Sequence, residues 1–131
     1  MQSLPLLVAR VLLVPIFLAS AWAKLTNWAT TTTRMTEASV PIPDLMLTGA
    51  LILEIVGAVL VLLGLFARVG AAMLLVFLVP VTLLMHPFWA RPDELTDFLK
   101  NTAMVGALVM IASLGAGHFS LDAWRKRHPN P

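Results

Sequence analysis

The sequence contains no cysteine. That excludes disulfides, thiolate nucleophiles, iron–sulfur ligation and covalent haem attachment together. Any redox role must use a borrowed organic cofactor or a partner protein. Charge is also scarce: Asp, Glu, Lys and Arg make up 12% of the 131 residues, against about 25% in an ordinary soluble domain. A soluble domain of this size has a large surface to cover with polar groups. A chain that is 59% hydrophobic with so little charge therefore belongs in a bilayer. The formal net charge of +2 comes from basic residues scattered between apolar runs. They form no stripe, which argues against nucleic acid and reads as charge at membrane ends. Histidines at matching depth are missing too: His86 and His118 fall at opposite faces, and His128 lies in the tail. A membrane b-haem held by two histidines is not expected. With no HExxH motif and no paired carboxylate–His set, neither is a metal site.

What the chain does have is long apolar runs. A helix that crosses a membrane needs about 20 mostly apolar residues, and four segments qualify: 4–23, 45–66, 69–86 and 98–117. The sequence therefore predicts a single membrane domain over 1–131, an all-α integral membrane protein built as a bundle of four transmembrane helices, with a basic tail over 118–131. Pro15 and Pro80 fall inside spans, which bilayer helices tolerate. Arg68 alone parts the second and third spans, so that connection is a tight turn. In the longer connection 24–43, Leu25, Trp28, Thr32 and Met35 share one helical face. This predicts a short interfacial helix between the first two spans, capped by Asn27 and ending before Pro41-Ile42-Pro43. Ser120 or Asp122 is expected to cap a short segment ending in Arg125-Lys126-Arg127. Ala21-Trp22-Ala23 resembles a signal-peptidase site, but residues 2–9 carry no Lys or Arg. A signal peptide has a basic region there, so the first span is expected to be retained.

Orientation follows from Lys and Arg in short loops. Arg68, Arg125, Lys126 and Arg127 share the side of the termini, and Lys24, Arg34, Arg91 and Lys100 the other. The tally is even. Arg10 and the compact basic tail favour both termini in the cytoplasm.

Two polar groupings stand out. Glu54 lies about 15 Å into its span by helical rise, where a charge costs on the order of 3 kcal/mol. Arg10 is the other ionisable residue well inside a span, so an intramembrane ion pair between Arg10 and Glu54 is expected. Ala50, Gly57 and Ala58 on the face of Glu54 would let a neighbouring helix approach. Arg10, Phe17 and Lys24 recur every seven residues on one side of the first helix. Lys24, His86, Lys100 and Asn101 are then expected to gather at one membrane face, above Glu54 and among Trp22, Phe88, Trp89 and Phe98. Donors over an aromatic-walled apolar pocket suit a planar carbonyl ligand such as a quinone. Lys24, His86, Lys100 and Asn101 are the ligand-binding candidates, and His86 and Glu54 the candidates for proton transfer. The structural alternative is that Lys and Trp merely anchor helix ends and the ion pair merely fixes packing.

The ordered set LVARVLLVPIFLASAWAKL, LILEIVGAVLVLLGLFARVGA, MHPFW, FLKNTAMVGALVMI and GAGHFSLD resembles the DoxX family of bacterial membrane proteins, in particular its YqjF/YphA-like branch. The resemblance runs from about Val8 to Asp122. It is carried by Arg10, Lys24, Glu54, Gly64, Arg68, His86, Lys100, Asn101, Gly117, Ser120 and Asp122. It implies a four-helix membrane fold. It also implies a redox association, because the family takes its name from a subunit of an archaeal thiosulfate:quinone oxidoreductase. A mycobacterial relative is likewise linked to a membrane oxidoreductase complex.

Three functional readings follow. The first is a redox-associated membrane subunit, not an enzyme alone, that binds a quinone-like ligand or anchors a soluble oxidoreductase partner. The second is a small proton-linked transporter or permease, which with four helices would need to form a homo-oligomer. The third is a non-catalytic membrane scaffold. Bound quinone separates the first, and proton-coupled flux the second.

Overall fold

The structure, a computed structural model, describes residues 3–129. Among them all regular structure is helical. Four helices are apolar and long enough to cross a membrane: α1 (Ser3–Thr26), α3 (Pro43–Leu63), α4 (Ala67–Met85) and α5 (Leu95–Leu114), the last preceded by a 3-10 turn at Pro92–Glu94. The 19 residues of α4 rise about 29 Å, close to the thickness of a bilayer's hydrocarbon core. Two short helices, α2 (Trp28–Glu37) and α6 (Leu121–Arg127), complete the chain. Four crossings put the described chain ends on one side, the terminal face. They put α2 and the connection before α5 on the other, the loop face.

The helices form a ring in the order α1, α3, α4, α5. Packing is most extensive between α3 and α4 and between α4 and α5, while α1 and α5 meet along a short stretch only. On α1 the buried residues Arg10, Val14, Phe17 and Ala21 alternate steps of four and three, and Lys24 continues the stripe. This is the spacing that keeps one face of a helix turned to its partners. Leu12, Ile52, Val76 and Met110 face outward, each more than half exposed, where lipid replaces water. The backbones of α3 and α4 approach closely at Gly57 and Gly70. A Cβ on Gly57 would lie 2.9 Å from the carbonyl oxygen of Gly70, so only glycine permits this approach.

The ends of the elements differ from the sequence expectation for local reasons. The second span stops at Leu63, short of 66, because Gly64 takes a left-handed conformation (φ +67°). There the Leu65 N–H donates to the Leu60 carbonyl at 3.0 Å and that of Gly64 to Val61 at 3.2 Å, a Schellman closure. The interfacial helix forms, but Asn27 does not cap it: its side-chain amide donates to the Ala23 carbonyl at 3.0 Å instead. A Trp28 indole N–H donating to Asp44 Oδ1 at 2.7 Å ties α2 to the start of α3. At α6 the cap is Ser120, whose hydroxyl accepts from the Ala123 N–H at 3.2 Å. Asp122 is used elsewhere.

Candidate functional site

The two faces of the bundle treat their buried charges differently. At the terminal face Arg10 is wholly enclosed. Its guanidinium donates to the carbonyls of Val61 (3.2 Å) and Leu62 (3.1 Å) and to that of Phe119. The first two lie in the last turn of α3, at the negative end of that helix, and that of Val61 also accepts from the Gly64 N–H. Asp122 is near enough to act on Arg10 through space. Its carboxylate accepts from the N–H groups of Phe66 (2.8 Å) and Ala67 (3.1 Å) at the start of α4. Its own N–H donates to the Gly64 carbonyl at 2.9 Å. The segment leading into α6 is thereby clamped across the α3–α4 turn, and Phe66 is held there at φ +46°.

The loop face contains a cavity of about 440 Å³, within the range of small-molecule sites. It lies between α1 and α5, the loosest pair of the ring, with α2 as a roof. Lys24, His86, Lys100 and Asn101 all border it, as does Glu54. Its apolar wall comes from Ile16, Phe17, Phe77, Leu78, Val81 and Met104. Lys24 donates to Glu54 Oε2 at 2.9 Å and to the Ser20 hydroxyl, and its ammonium stands 4.9 Å from the centre of the Phe77 ring, a cation–π distance. The other oxygen, Glu54 Oε1, is enclosed and has no hydrogen-bond partner. Ser20 lies near the carboxylate without bonding that atom.

The expected pair between Arg10 and Glu54 is not formed. In an α-helix each side chain leans toward its own N-terminus. Because α1 and α3 run in opposite directions, Arg10 and Glu54 lean apart, whereas Lys24 and Glu54 lean toward each other. The carbonyls that Arg10 reaches are seven and eight residues beyond Glu54 on α3, about 11 Å along the axis. The expected aromatic surround is also different. Trp22 is 69% exposed, one step off the buried stripe of α1. Phe88, Trp89 and Phe98 pack edge to face on one another, with centroids 4.8–6.0 Å apart, outside the cavity. Phe17 and Phe77 line it instead.

The remaining candidates have partners at the rim. His86 Nδ1 lies 2.6 Å from Glu94 Oε2, and Lys100 donates to Asp97 Oδ1 at 2.9 Å. Ligand atoms of His86, Glu94 and Asp97 lie within 4.8 Å of one another, the spacing of a metal site. The chain's own cations compete for those carboxylates, since Lys100 holds Asp97 and Arg91 stands 3.5 Å from Glu94. Asn101 is 6% exposed and borders the cavity with its amide unpartnered among the described residues. Sequence reasoning missed Arg34, which α2 brings to the cavity roof. It also missed Ser20, although that residue is one turn before Lys24 on the same stripe.

Comparison with known proteins agrees with this architecture. The DoxX family model matches residues 5–87, which span α1 to His86 and include Arg10, Lys24 and Glu54. Inner membrane protein YphA of Escherichia coli is 30% identical over 122 residues, covering 89% of this chain and 87% of the relative. Inner membrane protein YqjF of the same organism is also 30% identical over 122 residues, covering 93% and 92%. A Surfeit locus protein 4 homolog of Drosophila melanogaster is 34% identical over 84 residues, 56% of this chain and 31% of the relative. No solved structure matches the chain. With a family model over more than half its length and full-length relatives on both sides, this four-span membrane protein belongs to the DoxX family.

Proposed function

We propose that this protein is a redox-associated subunit of the bacterial inner membrane that holds a quinone-like ligand in the loop-face cavity, either alone or beside a soluble oxidoreductase partner. The observation that carries the reading is convergence. Lys24 on α1, His86 just past the end of α4, and Lys100 and Asn101 on α5 all border one cavity with an apolar wall. Donors set opposite an apolar wall are what orients a planar, acceptor-bearing ring. His86, at the rim beside Glu94, is the group suited to exchange protons with the aqueous side. A short-chain benzoquinone titrated into the purified protein tests this. His86→Ala and Lys100→Met are expected to weaken its binding several-fold with the melting temperature unchanged. Trp89→Phe, outside the cavity, leaves binding intact. No uptake by the unaltered protein sinks the proposal.

A second reading has one specific observation in its favour. Glu54 sits in mid-span on the border of a cavity that faces one side of the membrane, as a proton-linked permease would require. Proton-coupled flux through reconstituted liposomes, without quinone uptake, would select it. For either reading we place both termini in the cytoplasm, on the strength of Arg125, Lys126 and Arg127 beside Arg68 at the terminal face. An alkaline phosphatase fused to the C-terminus is then inactive, and an active fusion reverses the orientation.

A further inference from the structure

The hydrogen-bonding groups around the cavity are not equally in need of a ligand. Lys24, Lys100 and His86 each have an acceptor within the chain: Lys24 on Glu54 and Ser20, Lys100 on Asp97, His86 on Glu94. Two acceptors at the site have no donor. The Asn101 side chain is more than nine-tenths buried, borders the cavity and makes no hydrogen bond among the described residues. Its amide atoms are not among the fully enclosed unpaired ones, so they remain reachable from the cavity. Whichever way that amide is turned, it presents two N–H donors and one carbonyl oxygen acceptor. Behind it Glu54 Oε1 is a second acceptor without a donor. Leaving a buried acceptor unpaired is unfavourable, and a ligand that brings only carbonyl oxygens cannot pair either one.

From these two unpaired acceptors we infer that the cavity is built for a ligand whose polar end carries an O–H group, so that within the quinone-like class it selects the hydroquinone over the quinone. This rests on the ligand class proposed above and adds the redox state that is held. The ligand hydroxyl accepts from the Asn101 amide N–H and donates to the Asn101 Oδ1 of the same group or, with a small movement of the surrounding side chains, to Glu54 Oε1. A quinone uses only the first of these bonds. Asn101 is thereby a specificity-determining residue. Arg34, exposed on α2 at the roof of the cavity, is the group placed to meet any further acceptor on the ring.

The experiment compares equilibrium binding of decylbenzoquinone with that of decylbenzohydroquinone, kept reduced under anaerobic conditions, to the full chain in detergent. One buried acceptor paired or unpaired corresponds to about a tenfold difference in affinity, so the hydroquinone is expected to bind about tenfold more tightly. Asn101→Leu removes donor and acceptor at similar volume and brings the ratio to near one. Asn101→Asp keeps the acceptors, removes the donor and maintains or raises the preference, so a fold lost with leucine still leaves a readable variant. Equal binding of the two compounds to the unaltered protein, or a preference for the quinone, overturns this inference and leaves the proposed ligand class standing. An unchanged ratio in Asn101→Leu overturns the role of that residue. Binding of neither compound removes the ligand class and this inference with it.

Discussion

The terminal and loop halves of this bundle each bury a charged residue, and they satisfy it in opposite ways. Arg10 spends its guanidinium on backbone carbonyls of α3 and of the segment before α6 and does not border the cavity of about 1230 Å³ that opens at that face among Phe66, Arg68, Asp122 and Trp124. Glu54 has one oxygen on Lys24 and the other on nothing, next to about 440 Å³ of open space. A buried ionisable group in a membrane is commonly read as a functional site. Here the same observation separates into a charge locked on backbone carbonyls at one face and a charge that borders an opening at the other. Burial does not tell them apart, since both residues are fully enclosed. Nor does a leftover polar atom, since Arg10 Nε and Glu54 Oε1 are both enclosed without a partner. What separates them is that three backbone carbonyls hold Arg10, whereas Glu54 has one side-chain ion pair and borders a cavity.

The contrast can be broken at the lock. Gly64 sits where a Cβ would lie 2.5 Å from Arg10 Nη1 and 2.5 Å from the Ser120 Cβ, at a φ of +67°. Gly64→Ala therefore combines left-handed strain, about 1–2 kcal/mol, with displacement of a buried guanidinium from its carbonyls. A loss of about 3 kcal/mol or more is expected. It should appear as a large drop in detergent melting temperature, with Arg10→Met falling to a similar degree. A Gly64→Ala protein as stable as the parent would mean that the clamp at this face is loose.

The smaller effect lies at the opening. Lys24→Met or Glu54→Gln each leaves a charge without its partner, and the double change removes both charges. A double-mutant cycle on melting is expected to give a coupling of about 1–3 kcal/mol. The matching cycle between Arg10 and Glu54 is expected to be additive within about 0.5 kcal/mol, because the two residues share no partner. Coupling in the second cycle and none in the first would exchange the roles assigned to the two faces.

Much of this was legible in the sequence. Apolar runs gave the four spans. The seven-residue recurrence of Arg10, Phe17 and Lys24 gave the buried stripe of α1. Glycine and alanine around Glu54 marked the face that meets α4. Three things were not legible, each for a physical reason. The partner of Glu54 depends on the lean of side chains in antiparallel helices, which counting ionisable residues ignores. The partners of Arg10 are carbonyls, which every residue carries and no sequence pattern announces. Arg34 joins the cavity only because α2 folds back over it, tied by Trp28 to Asp44, and nothing local to Arg34 encodes that path. Phe88, Trp89 and Phe98 were misread because aromatic residues near a helix end pack on one another as readily as on a ligand.

The hold on Arg10 also has a consequence for assembly. Two of its carbonyl partners lie 51 and 52 residues later in the chain and the third 109 residues later. At a synthesis rate of about 5–20 residues per second, the first helix waits several seconds for the second to supply carbonyls, and longer still for the last. During that interval the arginine must stay hydrated at the membrane surface or be sheltered by the insertion machinery. The first span thus settles to its final depth only as later parts of the nascent chain arrive, and a ribosome stalled before Phe119 would leave a bundle with its first helix incompletely fastened.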